Sequence, residues 1–161
     1  MHRVAQFVAH VRARVEPEEA AQVRSLLTER AVALFESMPV ADRRHGLDVA
    51  EQLLRSGHDD RDLLAAALLH DAAKGHRMRL WHRVAGVLLE ALAPSVLRRL
   101  ASQNPSSWRH PFHLYLHHGP MSAALCDQAG CPPRVGAFIR GAVADEDVQL
   151  LRALTGADDA G

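Results

Sequence analysis

Apolar residues recur along the chain at intervals of three and four, the repeat of an α-helix that buries one face. Residues 2–15 carry Val4, Phe7, Val8, Val11 and Val15 on such a stripe. Pro17 suits the first turn of a second helix bearing Val23, Leu26, Leu27, Leu34 and Phe35. A third is predicted from near Pro39 to Gly57, with Leu47, Ala50, Leu53 and Leu54 turned inward. Asp59 or Asp60 caps a fourth, which runs through LLAAALLHDAAK to a stop at Gly75. Two short helices follow over 80–92 and 94–102, parted at Pro94. SQNPSSWRHP reads as a loop, and a segment from Phe112 leads through HHGP into a helix over 121–129. Pro132 and Pro133 open another helix, and a last one covers roughly 145–154.

Composition narrows the fold class to all-α. Among 161 residues there are 27 Ala, 22 Leu and 18 Arg, against one Ile and two Thr, so helix formers outnumber strand formers. One domain of this length buries a little over two-thirds of its unfolded surface without a disulfide. The longest apolar run, Leu63 to Leu69, spans two helical turns, well short of the ~20 residues of a membrane span. The opening MHRVAQFVAHVRARVEPEE breaks its apolar residues with Arg and His, unlike a secretory leader. Cys126 and Cys131 are too few for a disulfide framework and suit a reducing cytoplasm.

The formal net charge is zero, which argues against a nucleic-acid polymer as partner. It is unevenly spread. Residues 72–126 carry Lys74, Arg77, Arg79, Arg83, Arg98, Arg99 and Arg109 against Glu90 alone, a local charge of +6. Such a field draws in a small anionic substrate such as a phosphate ester.

The candidate chemistry lies among eleven histidines. His70 and Asp71 end an almost wholly apolar helix, where a buried carboxylate beside an imidazole needs something to satisfy both. Imidazole nitrogen with carboxylate oxygen suits iron, manganese, cobalt, nickel or zinc. Taken alone, the dipeptide fits a histidine capping the helix C-terminus better than a ligand pair. Three observations shift the balance. His45 lies 25 residues upstream on the preceding helix, the only lysine is Lys74, one turn after Asp71, and GADDAG offers Asp158 or Asp159 as a distal carboxylate.

The order His, His-Asp, remote Asp resembles the signature of the HD superfamily of metal-dependent phosphohydrolases. HGLDVAEQLL and AAALLHDAAK resemble its first two motif helices. LHHGPMSAALCDQAGCPPRVGAFIR looks like the helix pair that carries two further histidines in two-metal members. The resemblance covers roughly residues 40–159 and implies an HD-type helical domain over 39–161. Residues 1–38 are then an N-terminal helical extension packed on that domain. By this resemblance, His45, His70, Asp71 and Asp158 ligate one divalent metal (Fe, Mn, Co, Ni, Zn or Mg). Asp71 bridges wherever a second metal binds, and Lys74 lies near the phosphate. His118 matches one histidine of the second-metal pair, with His117 as its fallback.

One departure matters. Relatives place a histidine after an Ile-Arg pair, whereas Ile139, Arg140 and Gly141 lead here to Ala142, which cannot coordinate. A mononuclear site is expected. The activity implied is hydrolysis of a phosphate ester or nucleotide by a metal-activated water. Lys74, with Arg77 or Arg79, neutralises the phosphoryl charge, and Asp71 or Asp48 orients the water. The alternative is a degenerate HD module that binds a nucleotide or partner without turnover. An exposed N-terminal helix pair also invites a homodimer.

Other residues are read as structural. Cys126 and Cys131 are expected as buried small hydrophobes, and Trp81 and Trp108 as packing against the added helices. His76, His82, His110 and His113 are expected at the surface, Asp48 in water, and the helix over 2–15, with Arg3, Arg12 and Arg14, on its own domain.

Overall fold

The computed structural model describes residues 15–160. They form nine α-helices: α1 (Pro17–Leu26), α2 (Glu29–Ser37), α3 (Val40–Arg55), α4 (Arg61–Leu69), α5 (Leu80–Leu92), α6 (Pro94–Leu100), α7 (His110–Gln128), α8 (Pro133–Arg140) and α9 (Val148–Ala160). A 3-10 turn over Asp145–Asp147 leads into α9. No strand occurs among the described residues, so the all-α class holds. The helix expected over 2–15 lies outside them except for Val15.

α4 organises the rest. Every position from Leu63 to Leu69 is buried, and a helix that is apolar all round belongs at the centre of a fold. α1, α2, α3, α8 and α9 pack around it. One apolar cluster joins Val23 and Phe35 to Leu53, Leu68, Phe138 and Leu154, each buried aliphatic side chain contributing about 2 kcal/mol. α7 lies against α8 on one side and against α5 and α6 on the other. No described helix is long and apolar enough to cross a membrane.

The structure departs from the sequence pattern at several points. The helix expected from Pro17 through Phe35 is broken at Thr28, whose hydroxyl accepts the Ala31 N–H at 3.3 Å and donates to Ala129 O at 3.3 Å. A residue so engaged caps a helix rather than continuing one. α4, capped by Asp60, stops at Leu69, six residues before Gly75, because the following turns have partners of their own. Lys74 N–H donates to Asp71 O at 2.9 Å, and Ala73 N–H donates to the buried Ser122 hydroxyl at 3.0 Å.

HHGP lies inside one continuous helix, with Pro120 in its interior. A mid-helix proline costs about 3 kcal/mol. Burial of Phe112, Leu114, Ala123 and Cys126 along α7 offsets it. The last helix runs on to Ala160 because Ala157 extends the apolar face begun by Leu154.

Trp81 and Trp108, expected against the added helices, are exposed among the described residues, and the helix over 2–15 lies outside these. Trp81 instead lies over His82 and edge-on to Phe112. His82 and His110 are buried rather than superficial, each held by a backbone group. His82 Nδ1 accepts the Arg79 N–H at 3.1 Å, and His110 Nδ1 donates to Ser102 O at 3.0 Å. Cys126 is buried and Cys131 half-buried, both free thiols.

Candidate metal centre

Three helices converge where α4 ends. α3 carries His45, and the next residue, Gly46, sets how closely α3 approaches α4. A Cβ there would lie 2.9 Å from Leu68 O, so any larger residue would hold the helices apart. His70 is the C-cap of α4, and Asp71 follows in the turn. Asp158 arrives from the last turns of α9, which packs on both α3 and α4. A donor atom from each of His45, His70 and Asp158 lies within 4.8 Å of the others.

The His45–Asp158 contact is a hydrogen bond, and the spacings are also of a size that one ion could span. His45 Nε2 is 2.8 Å from Asp158 Oδ1, His70 Nε2 is 3.3 Å from the same oxygen, and His70 Nε2 is 3.5 Å from Asp71 Oδ1. Donor atoms about 2.1 Å from one ion stand roughly 3.0–3.4 Å apart in octahedral or tetrahedral arrangement.

The protonation pattern points the same way. His70 Nδ1 lies 2.9 Å from Ala67 O, and a carbonyl only accepts, so Nδ1 carries the proton. Nε2 then turns a lone pair toward two carboxylate oxygens. His70 Nε2 and Asp71 Oδ1 are both buried and neither has a hydrogen-bond partner. Facing lone pairs repel unless a cation lies between them. Without a metal, that cation is a proton. Burial alone lowers the His70 pKa, but the Asp71 and Asp158 carboxylates outweigh it and hold the ring above its ordinary value. Burial likewise opposes ionisation of Asp71, yet His70 and Lys74 keep its carboxyl below the usual range. His45 and His70 likewise outweigh partial burial at Asp158 and hold its carboxyl below the usual range. The residues present thus fit a divalent cation, with nitrogen and carboxylate donors suited to Fe, Mn, Co, Ni or Zn.

Around this core, Lys74 Nζ donates to Asp71 Oδ2 at 2.6 Å, so the two oxygens of Asp71 differ in role. His118 Nε2 stands 3.8 Å from Asp71 Oδ1, and its Nδ1 donates to Tyr115 O at 3.0 Å. Burial and the Lys74 charge hold the His118 ring below its ordinary pKa, so it is neutral near pH 7. His117 is turned away and lies beside His113. Arg77 and Arg79 are exposed on the turn after Lys74. Asp48 pairs with Arg44 at 2.9 Å, and Asp159 is exposed. Ala142 is exposed beyond the left-handed Gly141, its N–H closing α8 on Ala137 O.

Sequence reasoning passed over two residues that build this site, Gly46 and Ser122. An isolated glycine inside a helical pattern marks close packing, and that signal was present for Gly46. Nothing in the pattern singles out Ser122, whose role comes from a partner 49 residues away. No protein-family model, no curated protein and no solved structure matches this chain.

Proposed function

We propose that this chain is an HD-type metal-dependent phosphohydrolase that cleaves a small phosphate ester or nucleotide with a single divalent cation (Fe, Mn, Co, Ni, Zn or Mg). The observation that carries this reading is the buried, unpartnered pair of His70 Nε2 and Asp71 Oδ1, with His45 and Asp158 closing around it. His45, His70, Asp71 and Asp158 would hold the ion. When bound, it supplies Lewis acidity toward a phosphoryl oxygen and a more acidic water.

The chain's own groups do the rest. Lys74, held on Asp71 Oδ2, stands ready to donate to a non-bridging phosphoryl oxygen, and Arg77 and Arg79 extend that positive field outward. His118, neutral and with Nε2 free of its proton, can take one from a water oriented by Asp71. Asp48, occupied by Arg44, is less suited to that task. This reading puts the enzyme in a reducing cytoplasm, as a homodimer through its N-terminal helices, with no nucleic-acid polymer among its partners.

One observation favours a second reading. Ala142 leaves only Asp71 and His118 for a second ion, and a module so reduced can bind a nucleotide without turnover. Phosphate release from a panel of esters and nucleotides, with Mn²⁺, Fe²⁺ or Co²⁺ present, separates the two. The hydrolase reading expects metal-dependent release that is lost in Asp71→Asn and falls at least roughly tenfold in Lys74→Met. Nucleotide binding without phosphate release would establish the binding module instead.

A further inference from the structure

α5 has two apolar faces, and among the described residues only one is covered. On the inner side, a Cβ at Gly86 would fall 2.6 Å from the Tyr115 ring, so that ring lies directly on the helix backbone. Tyr115 also donates to Glu90 Oε2 at 2.6 Å, and His82 is buried on the same side. These contacts fix the rotation of the helix. The outer side then presents Trp81, Val84, Leu88 and Leu92, at helical spacing, with Val87 beside them, all exposed. Val96 on α6 and Trp108 before α7 are exposed as well. Of eight exposed large apolar side chains among the described residues, these are seven, with Leu92 82% and Trp108 67% accessible. A contiguous patch beyond a few hundred Å² is uncommon on a free-standing domain and marks an interaction surface.

The surrounding charge narrows what fits. Arg77, Arg79, Arg98 and Arg99 are exposed around this region, and its single acid, Glu90, is occupied by Tyr115. The occupant must be apolar and anionic together. A second copy would bring the same arginines against themselves. Residues 1–14 carry Arg3, Arg12 and Arg14 and no acid, so their charge does not complement these arginines. We propose that the outer face of α5 and α6 docks on the surface of an anionic lipid bilayer. The stripe from Trp81 to Leu92 is about 17 Å long and would lie flat at the boundary, its aliphatic side chains entering the acyl region. Trp81 and Trp108 suit the headgroup boundary, and the arginines suit lipid phosphates. Binding of this kind lies on the membrane without crossing it.

Trp81 and Trp108 are the chain's two tryptophans, so intrinsic fluorescence reports occupancy of this face without a label. The full chain is mixed with vesicles of phosphatidylglycerol and phosphatidylcholine, or of phosphatidylcholine alone, and followed by emission and cosedimentation. The expected result is a blue shift and sedimentation with the anionic vesicles only, weakened by salt. Leu92→Glu should reduce partitioning roughly tenfold or more, and Arg98→Gln or Arg99→Gln roughly fivefold each. Leu92 is exposed, so its variant folds, and circular dichroism checks this. Three results would overturn the proposal. The first is no anionic-vesicle binding at low salt. The second is binding that Leu92→Glu leaves unchanged, which assigns it to another basic surface. The third is a blue shift with polyglutamate or with rising protein concentration but none with vesicles, which gives the face to an acidic protein or a second copy.

Discussion

Two clusters of aspartates lie at opposite ends of α4, and they are treated differently. Around Arg134, the guanidinium donates to Asp60 at 2.7 and 2.9 Å and to Asp147 at 2.7 and 2.8 Å, with Asp62 at 3.4 Å. The chain itself supplies the counter-charge, tying the start of α4 to α8 and the 3-10 turn. Around His70, two carboxylates meet two imidazoles, and a buried nitrogen and a buried oxygen are left without partners. Unpartnered atoms also occur at Asp42, Arg43 and Arg83, but there Arg83 already contacts Asp42. A cluster that its own chain neutralises is a fastening. One that leaves a buried nitrogen and a buried oxygen facing each other unpartnered is a candidate receptor for a cation.

Substitutions in both clusters, read by metal binding, separate the fastening from the candidate receptor. Asp71→Ala and His70→Ala should each lower Mn²⁺ affinity by roughly a hundredfold or more in titration calorimetry, with Arg134→Ala and His113→Ala unchanged. Equal binding in all four variants would remove the ligand assignment.

Gly46→Ala should act on geometry alone, since it touches no donor atom. Forcing a methyl against Leu68 O should cost about 1–3 kcal/mol of stability in denaturant unfolding and weaken metal binding several-fold. Unaltered binding would mean that His45 does not depend on the close approach of α3 and α4.

Arg134→Ala should lower the melting temperature by a few degrees at neutral pH, and saturating metal should still raise the melting temperature of that variant. The smallest effect lies in pH. At Asp60, burial opposes ionisation, but the Arg134 hydrogen bonds outweigh it and the folded pKa is depressed; separate hydrogen bonds from Arg134 depress Asp147. Groups of this kind add stability above their unfolded pKa and lose it as pH falls through the lower folded value. The gap between wild type and Arg134→Ala should therefore be full near neutrality and close as pH drops below 3.8. A gap that widens in acid would contradict the pairing.

The helical architecture was legible because burial leaves a periodic trace, and the all-apolar run at 63–69 read as part of a helix too short to span a membrane. The residues gathered around His70 were legible through their order and residue types. Positions decided by distant partners were less so. Thr28 breaks a helix partly through Ala129, Pro120 is carried inside α7 by packing along its length, and α4 ends early because Ser122 holds the next turn. Trp81 and Trp108 were expected against the added helices, and residue type says little about which side of α5 Trp81 occupies or where the loop before α7 places Trp108.

The most direct test of the metal centre is metal content per chain, by mass spectrometry on protein purified without chelator or affinity tag. The account predicts about one divalent ion per wild-type chain and none in Asp71→Ala. A chain that stays metal-free after incubation with Mn²⁺, Fe²⁺ and Co²⁺ would contradict it and leave a protonated His70, with Lys74, to balance the carboxylates.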